Sequence, residues 1–214
     1  GVSLDAISGL FVFSALVLIL TPGQDMILVM SRSLSQGMQA GVLTAFGLCL
    51  GLVGHILLAM FGVGAVLVTF PWVLHFVKLV GALYLFYLGY QFWMNSQSEL
   101  GVTWLEKQSY SSILWQGFIA NISNPKIILF FVSFLPQFVT DTSNQQMQIL
   151  ALGLCFVALA FSIKSTAGIL AGTSTLWIKK HPRFLQYSYK VSGGIIFTLA
   201  LSLLIEEGLD LLQI

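Results

Sequence analysis

Long stretches without a charged side chain limit the fold of this chain more than any other feature. No Asp, Glu, Lys or Arg occurs from Ser33 to Val77, from Gln108 to Pro125 or from Thr142 to Ile163. A helix that crosses the hydrocarbon core of a bilayer needs about 20 mostly apolar residues. Charged residues make up 8% of the chain, whereas soluble domains carry about 25%. The sequence therefore predicts an all-α membrane protein.

The uncharged stretches predict a single polytopic domain over residues 1–214 with six transmembrane helices. We place the helices near residues 7–30, 40–67, 73–94, 112–138, 147–173 and 188–206. They form two three-helix repeats, about 5–95 and 112–208. The first helix lacks the basic flank of a secretory signal and carries Asp5, so we expect it to be retained. Gly1 in place of Met suggests processing or a cloning remnant.

Lys and Arg are unevenly distributed between the predicted loops. One side of the membrane has Lys78 alone. The other side has Arg32, Lys107, Lys179, Lys180, Arg183 and Lys190. Because basic residues concentrate in cytoplasmic loops, we predict that both termini lie on the outer side. The net charge of +1, without a basic block, excludes a typical nucleic-acid-binding surface.

The first apolar stretch contains a helix-breaking sequence, Thr21-Pro22-Gly23-Gln24-Asp25. Thr is a favoured N-cap and Pro a favoured first helical residue, and Thr21 with Gln24 matches a capping box. We therefore predict that one helix ends near residue 20 and that a second begins at Pro22. In hydrocarbon, a broken backbone is tolerated only where protein or a water-lined cavity satisfies the freed polar groups.

The same pattern recurs in the fourth predicted helix, where Asn124 precedes Pro125. The two prolines occupy corresponding positions in the two repeats, and an odd number of helices per repeat inverts one repeat relative to the other. Inverted repeats with interrupted helices mark the substrate site of many secondary transporters. We therefore predict that the breaks at Pro22 and Pro125 meet near the middle of the membrane. Two ordinary proline kinks are the alternative.

The residues around the two breaks resemble the signature regions of the LysE/RhtB family of bacterial amino-acid exporters. The first signature is met by Thr21, Pro22, Gly23, Asp25, Arg32, Gly37 and Gly41, with Gln24 in place of the usual second proline. The second signature is met by Gly117, Phe118, Asn121, Asn124, Pro125 and Lys126. The resemblance implies secondary export of amino acids or close derivatives across the bacterial cytoplasmic membrane, by alternating access and in antiport with protons.

Two charged residues are the main candidates for binding and coupling. Asp25 could hold a substrate ammonium or carry the coupling proton, and its alternative is a hydrated carboxylate near the cytoplasmic rim, beside Arg32. Lys126 lies deep between uncharged stretches, where a lysine usually faces the interior of the helix bundle. It could bind a substrate carboxylate or pair with Asp25, and a purely structural ion pair is the alternative.

Other polar or small residues in the spans have secondary roles in this interpretation. Gly47 and Gly51 have the spacing that allows helices to pack closely, with exposure of backbone to substrate as the second option. His55 could relay protons, although a single His on a helix more often only bonds to a neighbour. Lys164 is expected to extend its ammonium to the cytoplasmic interface. The protonation roles of Asp25, His55 and Lys164 are left open.

Two rival functions are weighed against export. Cys49 and Cys155 could pass disulfides as a membrane electron carrier, but neither lies beside a charge or a second Cys that would activate it. A divalent-cation exporter would have few deep ligands beyond Asp25 and His55. No Walker A motif occurs, so we expect neither an ATPase nor any other enzyme, and no metal or cofactor.

The expected partners are a small zwitterionic substrate, protons and the lipid bilayer. Which amino acid is carried and the oligomeric state are left open, with a homodimer as one option.

Overall fold

The computed structural model describes residues 4–63, 65, 69–70, 72–94, 101–139 and 144–212, and over these residues the chain is helical without a β-strand. The N-terminal part contains α1 (Leu4–Leu20), α2 (Gln24–Gln36), α3 (Met38–Leu58, continued by a π-helical turn, Ala59–Val63) and α4 (Val73–Met94). The C-terminal part contains α5 (Tyr110–Ile122), α6 (Pro125–Phe134, continued by a 3₁₀ turn, Leu135–Phe138), α7 (Gln145–Ile169), α8 (Ala171–Lys180) and α9 (Pro182–Leu212). The all-α prediction is confirmed for this part of the chain.

Several of these helices have the length and composition of membrane spans. Within the described residues, the helices Met38–Gly62 and Gln145–Ile169 are each long and apolar enough to cross a bilayer. The helices Gly9–Leu20 and Gln24–Gln36 qualify together as one span that bends by 52° at the break between them. The complete set of six spans in two inverted repeats stays a prediction.

Both predicted breaks are present. The first helix, α1, ends at Leu20, and α2 begins at Gln24. The fourth predicted helix is divided into α5, which ends at Ile122, and α6, which begins at Pro125. A continuous helix over either segment, which would have contradicted the prediction, is therefore excluded.

The prediction for the sixth helix, 188–206, was too short. α9 begins at Pro182, where a proline is favoured in the first turn, and it runs to Leu212. Arg183 and Lys190 therefore lie in α9 rather than in a loop, and Arg32 lies within α2, where it is 5% exposed. An uncharged stretch marks the part of a helix that can contact lipid, whereas the helix itself can continue into the polar interface.

Glycines bring two pairs of helices into close contact. A Cβ atom on Gly47 of α3 would lie 2.4 Å from the carbonyl oxygen of Leu114 in α5, and one on Gly117 would lie 2.9 Å from the carbonyl oxygen of Thr44. α4 and α9 meet in the same way through Gly89 and Gly193. This geometry supports the packing interpretation of Gly47, and it holds the end of α5 against α3.

An aromatic cluster fills the core between α1, α6 and α7. The ring centroids of Phe131 and Phe156 lie 5.1 Å apart, and those of Phe11 and Phe138 lie 5.2 Å apart. Phe134 lies between these pairs and is 1% exposed. Contacts at these distances are favourable between aromatic rings, and they fix the second break against the rest of the bundle.

Candidate functional site

The first break has a different geometry from the one that the capping pattern predicted. Gly23, with extended backbone, is the N-cap of α2, and Gln24 is the first helical residue. The hydroxyl of Thr21 donates to the carbonyl oxygen of Val17 at 2.9 Å and also contacts the hydroxyl of Ser192. The predictions of Thr21 as the N-cap, of a capping box with Gln24 and of Pro22 as the first helical residue were therefore wrong. A Thr at the end of a helix can donate its hydroxyl to the carbonyl oxygen four residues earlier, and here Thr21 forms this bond instead of capping α2.

Tyr189 of α9 completes the first break. Its hydroxyl donates a hydrogen bond of 2.7 Å to the carbonyl oxygen of Pro22. This bond satisfies a backbone group that the interruption of the helix has freed, as a break within the membrane requires. Sequence reasoning missed Tyr189, and the available signal was that a partly buried Tyr usually finds a partner for its hydroxyl.

The second break follows the prediction more closely. α6 begins at Pro125, and the carbonyl oxygen of Asn124 accepts bonds from the backbone N–H groups of Ile127 and Ile128 at 3.2 and 3.3 Å. Asn124 therefore occupies the position directly before the first helical residue. The side chains of Pro125 and Lys126 lie outside the part that the structure describes, so the role of Lys126 stays a prediction.

Both breaks line one cavity with a volume of about 360 Å³. The first break contributes every residue from Thr21 to Asp25, and the second contributes Asn124. Lys164 and Tyr189 also line the cavity. Its volume lies at the lower end of the range of about 300–1,000 Å³ that is typical of small-molecule sites.

The charged pair in this cavity is formed by Asp25 and Lys164. Lys164 Nζ lies 3.2 Å from Asp25 Oδ2, and the two side chains are 9% and 20% exposed. The expectation that Lys164 extends to the cytoplasmic interface was therefore wrong, because α7 directs it into the bundle, where a buried Lys gains a partner. Asp25 also does not pair with Arg32, whose guanidinium donates to the carbonyl oxygen of Glu106 and the side-chain oxygen of Gln116.

Asn121 holds the carboxylate of Asp25 from the side of α5. Its Nδ2 donates to Asp25 Oδ2 at 3.0 Å, and the residue is completely buried. A Cβ atom on Gly51 would lie 2.6 Å from Asn121 Oδ1, so the absence of a side chain at Gly51 makes room for Asn121. Gly51 thus supports the site through packing.

Among the described contacts, His55 is connected to the charged pair through Asn121. Its Nε2 lies 2.9 Å from the backbone carbonyl oxygen of Asn121, which makes this nitrogen the donor. The ring is 2% exposed and stacks on Phe131, with the centroids 6.4 Å apart. Its Nδ1 has no hydrogen-bond partner in the described part of the chain. This geometry is that of a buried His bonded to a neighbour, and a role as a proton relay stays a prediction.

The two rival functions rest on Cys49 and Cys155 and on Asp25 and His55, of which Asp25 lines the cavity. Cys49 is buried in α3 and Cys155 is partly buried in α7, and both thiols are free. The described residues contain no group of three or more His, Cys, Asp or Glu that could hold a metal ion. The reactive thiols of disulfide carriers are activated and partly exposed, which does not describe Cys49.

Comparison with known proteins supplies the family. The family model described as LysE type translocator matches residues 16–207. An uncharacterized membrane protein of Vibrio cholerae is 32% identical over 149 residues, which are 70% of this chain and 73% of the relative. The homoserine/homoserine lactone efflux protein of Salmonella typhimurium is 29% identical over 86% of this chain and 89% of its own length. The uncharacterized membrane protein YrhP of Bacillus subtilis is 28% identical over 85% of this chain and 90% of its own length.

No solved structure matches the chain. The family match covers both breaks and every described residue of the cavity, and it confirms the resemblance carried by the two signature regions. The chain therefore belongs to the LysE-type translocator family, and it is a membrane transporter rather than an enzyme.

Proposed function

We propose that the protein exports amino acids or close derivatives across the bacterial cytoplasmic membrane, as a proton-coupled secondary transporter. The name of the Salmonella relative supports an amino-acid-like substrate. The observation that carries the proposal is the ion pair of Asp25 and Lys164 inside a cavity between two broken helices. This site has one negatively charged and one positively charged side chain, and it therefore suits a substrate that carries both charges.

A free amino acid carries the two complementary charges. Its ammonium would bind the carboxylate of Asp25, and its carboxylate would bind Lys164 Nζ. The N-terminus of α2 opens at the same place and adds favourable potential for an anion. Substrate binding would thus replace the ion pair between Asp25 and Lys164 with two ion pairs to the substrate. Neither buried charge would then be left without a partner, and an unpaired charge is costly in a protein interior.

Coupling to protons would act through Asp25. A proton on its carboxylate removes the attraction both to Lys164 and to a substrate ammonium, so proton binding on the outer side favours substrate release there. Alternating access would then follow from movement of the two inverted repeats around the cavity. Lys126, in the first turn of α6, stays a second candidate for binding the substrate carboxylate.

Counterflow in liposomes tests the proposal. Purified protein is reconstituted into vesicles loaded with one unlabelled amino acid at a time, and entry of the same labelled amino acid is measured. We expect accumulation for at least one member of a panel of neutral, basic and acidic amino acids. A monodisperse, correctly inserted protein that exchanges no amino acid in the panel would contradict the proposal.

Two lysine variants test whether Lys164 takes part in transport. Lys164→Met should reduce exchange at least about 100-fold, because it removes a charge-assisted contact to the substrate that is partly buried. Lys179→Met is the matched control, since Lys179 is an exposed lysine at the end of α8, and it should exchange like the unmodified protein. Equal rates in the two variants would remove Lys164 from the site.

A further inference from the structure

We infer that the cavity selects amino acids with a neutral, apolar side chain. This inference rests on the proposed function, because it concerns the substrate class of the same site. The observation behind it is the composition of the cavity lining. The polar groups come mainly from the first break and the charged pair, whereas most of the remaining wall is hydrocarbon.

The apolar wall is contributed mainly by α3, α4, α6 and α7, together with Leu18 and Ile19 of α1 and Met26 of α2. It includes Leu52, Leu88, Phe92, Phe130, Phe131 and Phe156. The ring centroids of Phe130 and Phe131 lie 5.6 Å apart, and both rings contact Phe156, at 6.2 and 5.1 Å. Because these rings support one another, the wall is preformed. An apolar substrate side chain placed against it leaves water without disturbing the protein.

The charges described in the cavity leave no partner for a charged substrate side chain. Among the described side chains that line it, Asp25 and Lys164 carry the charges, and a zwitterionic backbone uses both. The extra ammonium of lysine or the extra carboxylate of glutamate would have to enter a mostly apolar space without a counter-charge. Burial of an unpaired charge is strongly unfavourable, so such substrates are excluded.

The hydroxyl groups of the lining are already engaged. Thr21 donates to the carbonyl oxygen of Val17, and Tyr189 donates to that of Pro22. These two hydroxyls have no proton left to donate, and a substrate hydroxyl that points away from them toward the apolar wall would lose its water without gaining a donor or acceptor from the apolar side chains there. The geometry thus favours a hydrocarbon side chain over a hydroxylated one of the same size.

Norvaline and homoserine form a matched pair for the test, since they differ by a terminal methyl against a hydroxyl. In counterflow with the unmodified protein, we expect kcat/KM for norvaline to exceed that for homoserine about tenfold or more, within the discrimination that apolar pockets achieve. Alanine should be carried less well than norvaline, and lysine and glutamate should remain at background. Preference for homoserine, equal rates for the pair, or transport of lysine or glutamate would overturn the inference while the proposed function stands. Absence of all amino-acid exchange would instead contradict the proposed function.

Variants of the wall separate selectivity from general damage. Phe156→Ala should reduce kcat/KM for norvaline about tenfold and change that for alanine little, because only the longer side chain reaches the wall. Phe46→Ala is the control, since Phe46 is 46% exposed and packs on Phe161 outside the cavity. Leu52→Asn, which keeps the number of side-chain heavy atoms and the branch at Cγ, should narrow the ratio of kcat/KM for norvaline to that for homoserine by supplying a polar partner. An unchanged ratio in Leu52→Asn, together with equal losses for norvaline and alanine in Phe156→Ala, would remove the wall from substrate selection.

Discussion

One carboxylate oxygen of Asp25 is shared by two donors from two different helices. Asp25 Oδ2 accepts from Lys164 Nζ at 3.2 Å and from Asn121 Nδ2 at 3.0 Å. Asp25 therefore links α2 with α5 and α7 through a single group. Neutralisation of this group leaves the ammonium of Lys164, a residue only 7% exposed, without its ion-pair partner. We therefore expect changes at Asp25 to affect stability and transport together, and the two effects need separate measurements.

For Asp25→Asn, we expect a loss of stability of about 3 kcal/mol, because an unpaired buried charge remains. Thermal unfolding in detergent should show a lower midpoint for Asp25→Asn and for Lys164→Met than for the double variant, in which no charge is left alone. Because the proposed mechanism gives Asp25 both the substrate ammonium and the coupling proton, Asp25→Asn should abolish export driven by a pH gradient and also exchange at equal pH. Loss of export driven by a pH gradient alone would restrict Asp25 to the coupling proton, and full retention of both activities would remove it from the site.

The sequence placed Asp25 at the first break, which lines the cavity, but it assigned Lys164, which also lines the cavity, to the cytoplasmic interface. The depth of a residue along α7 can be read from its position in the sequence, whereas the direction of its side chain depends on the rotation of the helix about its axis. The apolar residues of α7 follow no helical periodicity, so no pattern indicated which face meets the cavity. Asp25 was easier to predict, because a proline and a glycine beside it already marked an interruption that lipid does not tolerate.

At the scale of elements, the site depends on the distance between α3 and α5. The backbones of these helices meet at Gly47 and Gly117, and Asn121 lies one turn beyond Gly117 on the buried face of α5. The positions of both breaks could be predicted, because proline acts locally on the backbone. The cap of α2 could not be predicted. The hydroxyl of Thr21 contacts that of Ser192 in α9, which is distant in sequence, so the local pattern did not show whether this hydroxyl would cap α2.

Gly117→Ala tests this contact. The added Cβ would lie 2.9 Å from the carbonyl oxygen of Thr44 and 3.3 Å from Gly47 Cα, so the helices must separate. We expect a loss of stability of about 1–3 kcal/mol and a reduced rate of exchange, since Asn121 moves with α5. Gly194→Ala on α9 is the control, because its Cβ would meet no atom within 4 Å. Equal stability and equal exchange in the two variants would show that the close contact has no role.

At the scale of the whole molecule, three segments that are distant in sequence lie at one end. Arg32 in the last turns of α2 donates to the carbonyl oxygen of Glu106 at 2.7 Å, and Ser33 bonds to the carbonyl oxygen of Gly168 near the end of α7. These segments adjoin the predicted loops in which most Lys and Arg residues occur. Their common location is an observation, and its assignment to the cytoplasmic side is a prediction from the distribution of charge.

Reporter fusions test the orientation and the number of spans. A reporter that is active only in the cytoplasm should be active after Lys107 or His181 and silent after Asn144. The reverse pattern would invert the predicted orientation. Between Lys107 and Asn144 the described helices are α5 and α6, with 13 and 10 residues, so each is too short to cross a core about 30 Å thick at 1.5 Å per residue. Together they are long enough. Opposite signals at Lys107 and Asn144 would therefore show that the two half-helices cross the membrane as one broken span, as α1 and α2 are predicted to do, whereas equal signals would require a re-entrant loop and contradict the inverted repeat.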